Sequence, residues 1–291
     1  KMLFATAQDI RIIIIKLADR LDNMLSLEYF PEEKQKRIAQ ETLDVYSPIA
    51  YRLGLFNIKW QLEDLAFYYL EPKVYQELKE KIAQKREERE LYLEKIKSIL
   101  EEQLTKYKIK VEIRGRPKSF YSIYRKMQKK NVDFSKIFDL LGIRIVTKDV
   151  KECYEVLGII HNLWKPIPRE FDDYIANPKS NLYQSLHTVV VGPEKQLVEF
   201  QIRTQEMDKI AEEGIAAHWQ YKNVKGDLRF DKQLSWLKEV LDLKDKSSKE
   251  FFETLKLDLF SYNIFVFTPN GDIIELPKDS TPVDFAYSIH T

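Results

Sequence analysis

Glycine is scarce in this chain. The 291 residues include 8 glycines, where average usage of about 7% would give roughly 20. That excludes a collagen-like or Gly-rich low-complexity chain, and any mechanism needing several Gly-rich loops. Cysteine is scarcer: Cys153 is the single one. No intrachain disulfide can form, a tetrahedral cysteine zinc site is excluded, and a reducing, cytoplasmic compartment is expected. Long apolar runs are missing too. The longest purely aliphatic stretch is Ile12 to Ile15, between Arg11 and Lys16, far short of the ~20 residues of a membrane span. No signal peptide is visible and no membrane partner is expected. Nor is there an excess of one charge: 47 Lys+Arg stand against 46 Asp+Glu, a formal net charge of +1. This argues against a polyanion-coating protein and leaves room for a local basic patch.

What the chain does contain is enough for real cores. Hydrophobic residues are 44% and aromatics 12%, which rules out global disorder. The length suits two or more domains. The chain begins at Lys1 and stops at Thr291 inside what reads as a folded segment, so it is expected to be a piece of a longer protein.

Residues 2–106 read as helix almost throughout, with apolar residues three and four apart (Leu17, Leu21, Met24; Leu43, Tyr46, Ile49, Leu53) and punctuation at Pro31, Pro48 and Pro72. Glu32 and Glu33 after Pro31 suit a helix start. From Pro72 to Lys106 a charged amphipathic helix is expected to act as a connector packed on one side. The pattern changes near Ile109. Lys110 to Arg114 alternates as a strand should. A helix from Pro117 to about Lys130 follows, then strands at 143–146, 188–191 and 197–203, and helices at 151–164 and 205–221. Residues 223–256 read as a Lys/Asp-rich helical linker. Residues 263–267, the turn 269–272 and residues 273–276 form a hairpin pattern, and Thr281-Pro282 opens a last helix.

Three groups of residues stand out chemically. Lys118, Ser122 and Lys126 lie four apart on a helix expected to start at Pro117, so they line one stripe beginning at its N-terminus. Point charges, a hydroxyl and free backbone N–H groups suit a polyphosphate, and Arg116 just upstream can stack on a base. The same pattern suits a solvated basic face with Tyr121 and Tyr124 in the core. Asp139 and Glu199 form the second group. Glu199, Gln201 and Arg203 alternate onto one strand face, and two carboxylates brought together from different strands suit Mg²⁺. Ordinary surface alternation explains the same residues. The third group is the polar run 170–188, read as loop, with Lys179, Asn181, Tyr183 and His187 offering stacking, edge hydrogen bonds and a phosphate contact to a purine nucleotide. A surface loop with Tyr183 packed down is the alternative. Cys153 reads as core, and His218 beside Trp219 as a packed residue.

Together these pieces are specific. Residues 115–127 (GRPKSFYSIYRKM), Phe138-Asp139-Leu140, residues 181–188, residues 199–204 (EFQIRT) and residues 214–219 (GIAAHW) resemble, in order, the motifs of RelA/SpoT-type (p)ppGpp synthetases. Residues 16–24 (KLADRLDNM) resemble the last motif of that family's HD-type hydrolase domain, and residues 263–291 resemble the start of its TGS domain. The resemblance implies an α+β chain: a helical N-terminal region, a nucleotidyltransferase-like mixed β-sheet with flanking helices, and the start of a small β-grasp TGS domain. The implied boundaries are 1–70 for the end of the hydrolase domain and a helical bundle, 71–108 for a connector, and 109–222 for the synthetase domain. A linker at 223–260 and the TGS start at 261–291 complete them.

The implied activity is transfer of pyrophosphate from ATP to the ribose 3′-hydroxyl of GDP or GTP, releasing AMP. By resemblance, Asp139 and Glu199 hold Mg²⁺, and Glu199 also accepts the proton of the attacking hydroxyl. Arg116 and Arg144 sandwich the adenine, and Lys118, Ser122 and Lys126 grip the ATP phosphates. Tyr183 stacks on guanine, with Lys179, Asn181, His187, Gln201 and Arg203 around the guanosine nucleotide. Asp19 is a remnant of a hydrolase metal site, and Mn²⁺ is implied only if the rest of that site lies upstream. This stretch by itself is not expected to hydrolyse ppGpp. The full-length protein is expected to meet the ribosome or tRNA through further C-terminal domains. A bifunctional synthetase/hydrolase and a non-catalytic nucleotide-sensing, ribosome-associated regulator are the alternatives. Three positions depart from the family pattern: Leu182 stands where Gly is usual, Asp22 where His is usual, and residues 170–173 (EFDD) are the acidic form of a motif that is basic in bifunctional members.

Overall fold

The computed structural model describes residues 10–84, 86–116, 118–131, 134, 142–179, 181–214, 263–268, 273–277 and 280–290. Asp139, His218, the 223–256 linker and the 269–272 turn, all singled out from the sequence, lie outside the described residues. The chain divides into two units, Lys1–Ser235 and Trp236–Thr291.

The first unit opens with helices, as the 3.6-residue periodicity predicts: α1 (Ile10–Leu25), α2 (Glu32–Glu41), α3 (Ser47–Arg52), α4 (Phe56–Leu70), α5 (Pro72–Gln84) and α6 (Arg86–Lys106). Pro31 lies just before α2 with Glu32 and Glu33 in the first turn, where acidic residues meet the positive helix end. Helices α1, α2 and α3 pack on α4, burying Leu17, Met24, Ala39, Ala50, Leu62 and Ala66.

A five-stranded sheet follows: β1 (Glu112–Arg116), β2 (Gly142–Thr147), β3 (Lys165–Asp173), β4 (Leu186–Val191) and β5 (Leu197–Thr204), in the order β1-β2-β5-β4-β3. Strands β2 and β5 are parallel; the other pairs are antiparallel. Alternation divides the sheet into two faces. One face is apolar: Ile143, Ile145, Leu186, Val190, Val198, Phe200 and Ile202 pack on α8 (Val150–Leu163) and α6. The stripe Tyr92, Ile96, Leu100 and Leu104 on α6 is buried in this core. The 72–106 stretch is therefore two helices, and the second is a floor of the sheet rather than a solvated connector.

Helix α7 (Phe120–Lys130) starts later than the sequence suggests, because Ser119 is its N-cap and accepts the Ser122 amide at 3.3 Å. Its apolar side packs Phe120, Ile123, Tyr124 and Met127 against Phe67 and Leu78 of α4 and α5, with Phe67 and Tyr124 stacked at 4.5 Å. Helix α9 (Gln205–Glu213) follows β5 and ends at Gly214, whose φ is +59°. A Cβ at Gly214 would lie 2.5 Å from the carbonyl carbon of Gly54, so the ends of α3 and α9 meet backbone to backbone.

The second unit contains a hairpin of β6 (Asn263–Phe267) and β7 (Ile273–Pro277), antiparallel from Asn263↔Pro277 to Phe267↔Ile273. Helix α10 (Pro282–His290) follows, with Asp284 accepting the amide and hydroxyl of Thr281, each at 2.7 Å.

Candidate active site

The register assembles the polar face of the sheet. Arg114 lies opposite Arg144, Arg144 beside Gln201, Gly142 beside Glu199, Gln201 opposite His187, and His187 opposite Asp172. Because side chains alternate, Arg114, Arg116, Arg144, Glu199, Gln201, Arg203, His187 and Asp172 share this face. Of the residues expected on strands, Arg114, Arg144, Glu199, Gln201 and Arg203 share this surface; Arg116, His187 and Asp172, expected outside strands, join them, and Asp139 lies outside the described residues.

Glu199 is at its centre. Its Oε2 meets the Lys118 Nζ at 2.7 Å, with both side chains 15% exposed. Its Oε1 accepts from Gln201 Nε2 at 2.9 Å. Burial raises the carboxyl's pKa, but the Lys118 ammonium and the hydrogen bonds from Lys118 and Gln201 outweigh it and hold Glu199 well below the usual carboxylate range. Burial drives His187 the other way, down from the usual histidine range, with the fields of Lys179, Arg203 and Arg116 adding to the effect. His187 is therefore neutral at pH 7, and its Nδ1 stands 3.9 Å from Glu199 Oε1.

A hydrogen-bonded chain runs from there into the Tyr183 loop. The Tyr183 hydroxyl meets His187 Nε2 at 2.8 Å and accepts from Arg203 at 2.7 Å. Arg203 also donates to Gln201 Oε1 at 2.7 Å and is 1% exposed. The Tyr183 ring is 9% exposed, edge-on to Phe56 at 5.5 Å and Tyr174 at 6.2 Å. It is packed down here, with Arg203 4.9 Å and Lys179 5.6 Å over its ring. Lys179 lies 4.1 Å over the Tyr174 ring, and burial lowers its pKa. Asn181 donates to the Tyr51 carbonyl at 3.1 Å and accepts the Tyr183 amide at 3.3 Å. Leu182 has φ +66°, the left-handed conformation that makes glycine the easier residue here.

Lys118 lies before α7, so the predicted helical stripe keeps only Ser122 and Lys126. The Ser122 hydroxyl donates to the Ser119 carbonyl at 2.8 Å. The amides of Phe120 and Tyr121 are not open to a phosphate either: they donate to Asp64. Arg144 is held by Asp208 at 3.1 Å and by Glu212. Asp208 also faces Arg114 at 3.5 Å and Arg203 at 3.7 Å. Asp19 is exposed on α1, 4.0 Å from Lys16. Its neighbour Arg20 is tied to Glu41 at 2.9 Å and lies 3.9 Å over Tyr46. Asp64, Asp208, Glu212 and Phe56 join the site without belonging to any of the three sequence groups. Asp208 has a local signal, a carboxylate in the first turn after a strand ending in Arg203-Thr204. Asp64 has none, because its partners lie more than fifty residues away.

Comparison with known proteins gives this arrangement its class. Residues 115–226 match the region found in RelA/SpoT proteins, residues 1–56 an HD domain, and residues 264–291 a TGS domain. The chain is 50% identical over 296 residues to a GTP pyrophosphokinase of Myxococcus xanthus, covering 100% of this chain and 39% of that protein. It is 47% identical over 302 residues to the bifunctional (p)ppGpp synthase/hydrolase RelA of Mycobacterium tuberculosis, covering 100% and 41%. The small alarmone synthetase 1 of Bacillus subtilis aligns over 62% of this chain and 98% of its own, at 23% identity and a TM-score of 0.39. The chain belongs to the RelA/SpoT family. It spans about two fifths of the length of these curated relatives.

Proposed function

We propose that the polar sheet face is a pyrophosphotransferase site that uses ATP and GDP or GTP. The 3′-oxygen of the guanosine nucleotide bonds to the β-phosphorus of ATP, the α–β bridging P–O bond breaks, and AMP leaves. The observation that carries this reading is the gathering of Arg116, Arg144, Lys118, Glu199, Gln201, Arg203 and His187 on one face, inside the segment that matches RelA/SpoT proteins.

Phosphoryl transfer asks mainly for positioning and charge neutralisation. Arg116 and Arg144 hold the adenine between flat guanidiniums, with Arg144 fixed by Asp208 and Glu212. Lys118, Ser122 and Lys126 take the ATP phosphates. Lys179, Asn181, Tyr183, His187, Gln201 and Arg203 bind the guanosine nucleotide. Glu199 is the carboxylate on this face that receives the proton of the 3′-hydroxyl. Its hard, charged oxygens also fit Mg²⁺, which Glu199 would hold together with Asp139. Bound there, Mg²⁺ would neutralise charge building on the transferred phosphates.

The test is incubation of the purified chain with Mg²⁺, ATP and GTP or GDP, followed by separation of the nucleotides. AMP and (p)ppGpp in equal amounts, each dependent on the guanosine nucleotide, are expected. A folded chain that binds both nucleotides and makes neither product refutes the reading.

A bifunctional synthetase/hydrolase is the second reading, supported by the HD-domain match over residues 1–56. In it Asp19 belongs to a hydrolase metal site completed by Mn²⁺ and other parts of a longer chain. We also infer a cytoplasmic location and ribosome or tRNA contact for the whole protein, the latter supported by the TGS match. Among the described residues no helix is long and apolar enough to cross a membrane.

A further inference from the structure

The N-terminus of α7 is capped twice, from two places in the sequence. Ser119 takes the Ser122 amide at 3.3 Å. The preceding two amides, of Phe120 and Tyr121, point at Asp64 on α4, donating to its two carboxylate oxygens at 3.3 and 2.8 Å. A helix leaves its first four N–H groups without intrahelical partners. Here two of them are taken by a side chain 56 and 57 residues earlier. The ring packing of α7 on Phe67, one turn along α4 from Asp64, fixes the same joint from its apolar side.

The consequence falls on the proposed ATP site, and the inference rests on that reading. Lys118 immediately precedes the capped turn, Ser122 lies in it, and Lys126 is one turn on. Their places are set by where the first turn of α7 is held. We propose that Asp64 is a positioning residue for the ATP triphosphate. Through two backbone amides it fixes the helix end that carries the phosphate-binding side chains, without touching the nucleotide itself. Loss of the carboxylate loosens this turn and weakens the ATP side of the site. The guanosine side is anchored separately, through Asn181 on Tyr51 and Tyr183 on Phe56.

The groups whose charge reaches Asp64 are Glu63 and Lys59 of α4. Tyr75 of α5 and Tyr121 of α7 face the same joint, and Arg125 of α7 lies within reach of Tyr121. Glu63 is already matched by Lys59 at 2.6 Å and Ser47 at 2.8 Å, which leaves the two amides as the direct partners of Asp64.

The test uses the full chain with Asp64→Ala and Asp64→Asn, measuring KM for ATP, KM for GTP and turnover. Asp64→Ala is expected to raise KM for ATP about tenfold and KM for GTP less than twofold. Asp64→Asn keeps an acceptor oxygen for one of the two amides and sets an NH2 donor against the other, so it is expected to recover part of the loss. It carries the test if the alanine variant does not fold. Equal rises in both KM values, an unchanged KM for ATP in a folded variant, or asparagine no better than alanine overturns the proposal. If the folded wild-type chain binds both nucleotides and makes no product, the transfer reading fails on its own, and titration calorimetry with Mg²⁺ and ATP decides Asp64. Weaker ATP binding by the variants supports its role and equal binding overturns it. A wild-type chain that binds no ATP overturns both.

Discussion

Removing one oxygen atom from Tyr183 separates its structural role from its proposed ligand role. In Tyr183→Phe the ring stays and the hydroxyl goes. That hydroxyl accepts from the buried Arg203 guanidinium at 2.7 Å and meets His187 at 2.8 Å. A hydrogen bond to a charged group contributes about 1.5–3 kcal/mol. Arg203 keeps its bond to Gln201, so the expected loss is about 2 kcal/mol. With a urea slope of about 2 kcal/mol per molar, the unfolding midpoint falls by about 1 M. The assay is urea unfolding followed by tyrosine and tryptophan fluorescence and by far-UV ellipticity. KM for GTP should change less than about threefold, since the stacking face survives. Tyr183→Ala should raise KM for GTP or GDP by about 5- to 150-fold, the range of base stacking on an aromatic ring, with a smaller effect on ATP. A wild-type midpoint in the phenylalanine variant refutes the buried hydrogen-bond role. Equal rises for both nucleotides in the alanine variant refute the guanine contact.

Glu199→Gln keeps the shape and the acceptor for Gln201 but removes the charge facing Lys118. Synthesis is expected to fall at least about 100-fold with ellipticity unchanged; turnover within about threefold of wild type removes Glu199 from the mechanism. Gly214→Ala places a Cβ 2.5 Å from the Gly54 carbonyl carbon at φ +59°. It should cost about 3 kcal/mol or more, and a loss under 1 kcal/mol in urea unfolding contradicts the close approach. Burial pushes the Asp64 carboxyl up to about 6, against the pull of the two amides. Protonation therefore favours the fold, a contribution full below the unfolded value near 4 and lost as pH rises through 6. Relative to Asp64→Asn, the wild type should gain at most about 1.4 kcal/mol per pH unit between pH 6 and 4. A pH-independent difference refutes the buried-carboxylate account.

The sequence carried most of the strand faces. Glu199, Gln201 and Arg203 alternate with Val198, Phe200 and Ile202, and the structure divides them onto the polar and apolar faces as period two requires. It did not reveal β3. Residues 165–173 contain Pro166 and Pro168 and lack alternation, because the strand is an edge with a register shift between Pro166 and Phe171. The helical stripe expected at 118, 122 and 126 loses its first member, because Lys118 precedes the N-cap. Ser119 can cap as well as continue a helix, and periodicity does not see that Asp64 waits for the next two amides. For Tyr183 the sequence leaves stacking on a purine and packing down as alternatives, and in the structure the residue is packed down. Its covering ring, Phe56, comes from a helix more than a hundred residues earlier.

The cap on α7 and the ring beside Tyr183 share a cause, which bears on where the proposed site ends. The segment matching RelA/SpoT proteins begins at residue 115, yet residues 51–64 hold it at four points. Tyr51 takes the Asn181 amide, Phe56 covers Tyr183, Asp64 caps α7, and Gly54 meets Gly214 backbone to backbone. None of these contacts has a short-range pattern, since each joins residues far apart in the chain. They reach three elements: the loop carrying Asn181 and Tyr183, held twice, the first turn of α7, and the end of α9. A helical segment joined to the sheet domain at three separate elements cannot shift as a rigid piece without disturbing several of them together. Residues 51–64 therefore belong to the working unit. A sheet domain cut at residue 109 would expose Phe67's partners Tyr121 and Tyr124, leave the Phe120 and Tyr121 amides without Asp64, and uncover the Tyr183 ring.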